Sequence, residues 1–158
     1  SLGGACSIGG QWKDVSTADL FKNKKVVLFS LPGAYTPTCS SQQLPGYEEK
    51  YLELKKYVDE VYCLSVNDSF VMNAWFRDQN IKQVKPIGDG EGKFTKGMNM
   101  LVNKPNQGFG MRSWRYSAFI ENGKVIKLFV EDGKNDESND SDPFKVSDVN
   151  TMLNYLTG

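Results

Sequence analysis

Cys39 closes the run Pro32-Gly33-Ala34-Tyr35-Thr36-Pro37-Thr38-Cys39, with Ser40 after it. An apolar stretch precedes this run and a segment of helical periodicity follows it. A cysteine in that place meets the unpaired backbone N–H groups and the positive dipole end of a starting helix. Both favour an anion, so the thiol is expected to stand largely as thiolate. Thr36, three residues earlier, can set a hydroxyl beside the sulfur. A thiolate so placed suits attack on one oxygen of an O–O bond while the other leaves as hydroxide or alkoxide. Donors must then be aimed at both the sulfur and the departing charge. A buried structural cysteine is the competing reading. The Pro, Thr and Ser neighbours of Cys39 do not form a core pattern.

Other chemistries are restricted by what the chain lacks. It has no histidine, which removes Ser-His-Asp and Cys-His catalysis in their usual forms and most catalytic zinc sites. Cys6, Cys39 and Cys63 are widely spaced and form no CxxC pair, so neither a zinc ribbon nor a dithiol motif is expected. No metal and no cofactor is expected. Three cysteines are an odd number, which argues against a secreted disulfide framework and for a reducing, intracellular compartment. Lys plus Arg and Asp plus Glu are both 19, a balance with no net field for nucleic acid or an anionic membrane. No apolar run approaches the roughly 20 residues that span a bilayer.

The elements that must carry Cys39 follow from pattern. Lys24 to Leu31 is an apolar run fit for a buried strand, ending at the loop signal Pro32-Gly33. Leu44, Tyr47, Tyr51, Leu54 and Val58 recur at helical spacing, with Pro45-Gly46 expected to kink or delay the helix. Glu60 to Val66 reads as a second strand, Ser69 to Gln79 as a helix capped by Ser69, and Val84 to Ile87 as a short strand. Tyr116 to Glu121 and Lys124 to Val130 flank Asn122-Gly123, which predicts a hairpin with a type I′ turn. Glu131 to Asp142 is acidic and turn-rich and reads as a solvated loop; a final helix capped by Ser147 reaches Leu156. Early βαβ units followed by a hairpin predict an α/β, thioredoxin-like fold, a mixed central sheet with helices on both faces. Residues 1–11 read as a flexible arm and 12–158 as a single domain.

The stretch PGAYTPTCSSQQLPGYEEKY resembles the active-site region of peroxiredoxins, specifically the type 5 or type II group. The signature Pro-x-x-x-Thr-x-x-Cys is met by Pro32, Thr36 and Cys39, and the later stretches CLSVNDSFVMNAW and GFGMRSWRYSAFIENGKV resemble the same group in the same order. The resemblance implies a peroxidatic Cys39 oxidised to sulfenic acid. It implies that Thr36 hydrogen-bonds the thiolate and the peroxide, that Arg115 holds the thiolate and the leaving oxygen, and that Pro32 shields the site from water. Arg112 lies three residues before Arg115; odd spacing in a strand puts it on the opposite face, as a supporting or surface residue. Many members have histidine four residues after the cysteine, where this chain has Gln43. Some carry a resolving cysteine near the C-terminus; the comparable stretch here is Phe144-Lys145-Val146-Ser147. Cys63 occupies a position sometimes assigned a resolving role, and ordinary core packing is its other reading.

The segments QWKDVSTADLF and DPFKVSDVNTMLNYL resemble the bacterial group fused to a glutaredoxin. The resemblance implies reduction of hydrogen peroxide and alkyl hydroperoxides, with glutathione and glutaredoxin, or thioredoxin, as reductant. It also implies a homodimer in which the aromatic Tyr35 is an interface anchor. A peroxide-sensing relay protein using the same cysteine is the alternative, and turnover with glutathione separates the two.

Overall fold

The structure, a computed structural model, describes residues 5–8, 11–14, 21–33, 42–89, 92–104, 110–131 and 144–158. Tyr35, Thr36, Cys39 and the acidic stretch 132–142 lie outside the described residues. The order of elements is β1 (Ala5–Ile8), β2 (Gln11–Asp14), β3 (Lys25–Ser30), α1 (Leu44–Glu49), α2 (Tyr51–Leu54), β4 (Glu60–Ser65), α3 (Ser69–Asp78), β5 (Lys85–Gly88), α4 (Lys93–Gly97), β6 (Leu101–Lys104), β7 (Gly110–Ser113), β8 (Tyr116–Glu121), β9 (Lys124–Val130) and α5 (Val149–Thr157).

The central sheet has the order β5-β4-β3-β8-β9. β3 pairs in parallel with β4, and β4 with β5, while β8 runs antiparallel to β3 and β9 antiparallel to β8. β6 with β7, and β1 with β2, form separate antiparallel ribbons. The β1–β2 ribbon falls largely in the stretch read as an arm, and β1 lies against β5 and α3.

Alternation along the central strands sends side chains to two cores. Val27, Phe29, Leu31, Val61 and Cys63 face one side, where Leu44 and Tyr47 of α1, Trp75 of α3 and Met152 of α5 cover them. Val26, Leu28, Tyr62 and Leu64 face the other, under Trp114, Met100 and the partly buried Phe94 of α4. Helices therefore lie on both faces of a mixed sheet, as the pattern predicts. The hairpin turn is type I′, with Asn122 at φ 50° and Gly123 at φ 79°.

Several local expectations are corrected. The helix with Pro45 in its first turn, where a missing N–H costs nothing, is broken at Lys50 (φ −97°, ψ 12°) into α1 and α2. Asp68 rather than Ser69 caps α3, its carboxylate accepting from Val71 N at 2.8 Å. Asp148 rather than Ser147 caps α5, accepting from Thr151 N at 3.2 Å. Glu131 is not part of a solvated loop: it is 2% exposed. Arg112 and Arg115 do not share a strand, because the chain leaves β7 at Ser113 and enters β8 at Tyr116.

Candidate active site

Ser30, the last residue of β3, pairs with Leu64 on one side and Tyr116 on the other. The chain leaving β3 through Leu31, Pro32 and Gly33 and the chain entering β8 through Trp114 and Arg115 thus emerge at one sheet edge, the carboxyl end of the parallel strands. In open α/β sheets this is the edge where ligands bind. Serines stitch the edge: Ser30 Oγ donates to Leu64 O at 3.0 Å and bonds Ser113 Oγ at 2.7 Å, and Ser65 Oγ donates to Leu31 O at 3.1 Å.

Arg115 is 2% exposed. Burying a guanidinium is costly unless its donors are met. Its Nη1 donates to Gln43 Oε1 at 2.5 Å, and its Cζ lies 5.8 Å from the centre of the Phe144 ring. Both groups are neutral, so each orients the guanidinium and leaves its positive charge in place. Gln43 is fully buried, with helical backbone (φ −69°, ψ −57°), in a wide turn that runs into α1. Because an arginine can be met only by the amide oxygen, the amide orientation is set by chemistry. Gln43 Nε2, also buried, has no hydrogen-bond partner among the described residues.

Arg112 Nη1 reaches Pro32 O at 3.4 Å, so this half-buried arginine lies against the loop after β3 rather than in solvent. Desolvation pushes its pKa down from the usual arginine value. This fits the supporting rather than the surface reading of Arg112, although the break between β7 and β8 voids a face argument that assumes one continuous strand.

Glu131, at the end of β9, ties the back of this region together. Its carboxylate accepts from Lys145 N at 2.8 Å, Val146 N at 2.9 Å, Ser147 N at 2.8 Å and Ser147 Oγ at 2.6 Å. Burial alone would raise its pKa, but the Ser147 hydroxyl and the three backbone donors outweigh burial and hold it below the ordinary carboxylate value. Tyr47, one turn after Gln43 on α1, donates to Ser147 O at 2.8 Å and meets Ser117 Oγ at 2.8 Å while stacking on Phe29.

Of the residues picked from sequence, Pro32 and Arg115 are brought to the same edge; Thr36 and Cys39 lie outside the described residues. Cys63 is fully buried in β4, opposite Phe29 and Pro86. The sequence marks Gln43 only as standing where many members have histidine, Phe144 only as part of the C-terminal stretch and Glu131 as a loop residue; the contacts of Gln43 and Phe144 with Arg115 and the burial of Glu131 are legible only in the structure. Gln43 carried a signal: it lies four residues before Tyr47, on the apolar stripe of the helix, where a polar residue must find a buried partner. Among the described residues no cluster of three or more His, Cys, Asp or Glu could hold a metal, and no helix is long and apolar enough to cross a membrane.

The redoxin family model matches residues 6–153. The chain is 54% identical over 149 residues to the hybrid peroxiredoxin hyPrx5 of Haemophilus influenzae, covering 94% of this chain and 60% of that protein. It is 53% identical to the peroxiredoxin sll1621 of Synechocystis, covering 94% of this chain and 78% of the relative. The chain belongs to the redoxin family, as a peroxiredoxin. It falls in the type II, or type 5, group, and peroxiredoxins are thiol peroxidases that act on peroxides with thiol reductants. The crystal structure of the Plasmodium falciparum antioxidant protein, a 1-Cys peroxiredoxin, superposes on this peroxiredoxin with a TM-score of 0.87 at 43% identity, covering 93% of this chain and 83% of that one.

Proposed function

We propose that this peroxiredoxin reduces hydrogen peroxide and alkyl hydroperoxides through Cys39. The thiolate attacks the terminal oxygen of ROOH in line; an S–O bond forms, the O–O bond breaks, and the alkoxide takes a proton to leave as ROH. Cys39 becomes a sulfenic acid. Thr36 hydrogen-bonds the thiolate and the bound peroxide through its single hydroxyl, Pro32 keeps water from the sulfur, and Arg115 stabilises both the thiolate and the oxygen that leaves. Catalysis then rests on a preorganised cation in a dry site, worth far more there than in water.

The observation that carries this reading is the buried Arg115 guanidinium, held by Gln43 Oε1 at the sheet edge from which Pro32 also emerges. Gln43 follows Cys39 by four residues, so the residue that orients Arg115 is tethered close to the nucleophile. Its buried Nε2 adds a donor for the anions the reaction forms.

The reductant in this reading is glutathione with glutaredoxin, with thioredoxin as the other candidate. Glutathione attacks the sulfenic sulfur and releases water, and glutaredoxin removes the resulting mixed disulfide. The hybrid H. influenzae relative and the 1-Cys name of the P. falciparum protein support it. The peroxiredoxin works as a homodimer through the surface around Tyr35, in a reducing intracellular compartment, with the catalytic domain taken as 12–158; sedimentation showing monomer alone at micromolar concentration would remove the dimer. Peroxide consumption coupled to NADPH, compared between wild type and Cys39→Ser, tests the central claim. Cys39→Ser is expected to be inactive with an unchanged circular dichroism spectrum, and turnover near the wild-type level would end the mechanism.

A further inference from the structure

Glu131 is tied by its backbone to the segment that carries Arg115. Its N–H donates to Arg115 O at 3.3 Å, and its carbonyl accepts from Trp114 Nε1 at 2.7 Å. Its side chain points the other way, into three successive N–H groups of residues 145–147 and the Ser147 hydroxyl. Converging backbone donors of this kind form an anion nest, and here a carboxylate of the chain itself fills it. One residue therefore joins the arginine's segment to the stretch ahead of α5.

Phe144 immediately precedes the first of these donors, and its ring lies over the guanidinium of Arg115, 5.8 Å from Cζ. That is cation–π range. A second tie closes the circuit. Ser147 O accepts from Tyr47, and Tyr47 sits one turn after Gln43, which accepts from Arg115. The guanidinium is thus bounded at its edge by an amide oxygen and over its face by an aromatic ring. Each is anchored through this circuit.

We propose that Glu131 is a positioning residue that holds Phe144 over Arg115, and that Phe144 sets the plane and the dryness of the guanidinium presented to the reaction. The proposal rests on the reading that Arg115 acts on the Cys39 thiolate.

The test measures two quantities. One is the pH dependence of alkylation of the Cys39 peptide, followed by mass spectrometry; the other is the second-order rate of oxidation by hydrogen peroxide in single turnover. Phe144→Ala and Glu131→Gln are each expected to raise the Cys39 pKa and to slow oxidation by about three- to thirtyfold, the range from an exposed to a desolvated cation–π contact. Phe144→Tyr keeps an aromatic face and should restore both. In an Arg115→Ala background Phe144→Ala should add nothing. If Glu131→Gln does not fold, Phe144→Ala carries the test, since it leaves the buried carboxylate in place. Wild-type values in Phe144→Ala, beside altered values in Arg115→Ala, would overturn the proposal and leave the role of Arg115 standing. An equal slowing by Phe144→Ala with and without Arg115 would also overturn it. Unaltered values in Arg115→Ala itself would remove the arginine from the site, and this proposal with it.

Discussion

The Nη1 of Arg115 donates to Oε1 of Gln43 at 2.5 Å, across 72 residues of sequence, and both side chains are buried. A neutral amide is the acceptor where a carboxylate would also fit the guanidinium. On the proposed mechanism the difference matters, because a carboxylate would cancel the charge that the Cys39 thiolate needs.

Gln43→Glu separates geometry from charge at that contact. The acceptor oxygen is kept, so the guanidinium stays in place, but a negative charge is added beside it. The Cys39 pKa is expected to rise and oxidation by hydrogen peroxide to slow at pH 7. The rate–pH profile, shifted to higher pH without loss of fold by circular dichroism, is the readout. An unshifted profile would show that the amide's neutrality is of no consequence.

On the proposed mechanism, Arg115→Ala removes a charge-assisted donor from a developing anion. The expected loss is roughly 3 kcal/mol, or about a hundredfold in second-order rate. Stopped-flow measurement of tryptophan fluorescence against peroxide concentration reads it directly, and a wild-type rate constant would take Arg115 out of the mechanism.

Glu131 makes stability fall on the acid side. Its pKa in the folded protein is held below the unfolded value by the donors of residues 145–147. A depressed carboxylate contributes stability that is present in full above the unfolded pKa, near 4.5. That stability is lost as pH falls through the folded pKa. Urea unfolding from pH 7 down to pH 3 should therefore show a decline that is shallower in Glu131→Gln. Parallel pH curves for the two proteins would contradict the assignment.

Cys63 is fully buried within the sheet. A disulfide needs Cα atoms within roughly 4.4–6.8 Å and Cβ atoms facing one another, and a side chain locked in the core reaches another thiol only by local opening. The Cys6→Ser, Cys63→Ser double variant is expected to keep most of its glutathione-dependent turnover. A dead double variant, together with an intramolecular disulfide from Cys39 by mass spectrometry in the wild type, would make Cys63 the resolver.

The legible part of this protein is the part written in short-range pattern. Continuous apolar runs define β3 and β4, because side chains of a strand point to opposite faces and here both faces are covered. Asn122-Gly123 defines the hairpin, because both residues accept positive φ. Pro32, Thr36 and Cys39 stand out because they meet the Pro-x-x-x-Thr-x-x-Cys signature, and Arg115 because it lies before an aromatic in a stretch that resembles the same family. Tertiary structure decided which distant groups meet. Register across Ser30 and Tyr116 sets Arg115 at the edge reached by the chain leaving β3, and no local periodicity encodes the acceptor that Gln43 supplies 72 residues away. Glu131 looks like any acidic loop residue until three backbone N–H groups and a hydroxyl converge on it; Ser147, read as a cap, is spent there, and Asp148 caps α5 instead. Hydrogen bonding decides these cases: a buried polar group must be met by whatever the packing brings within reach, and packing is a property of the whole chain.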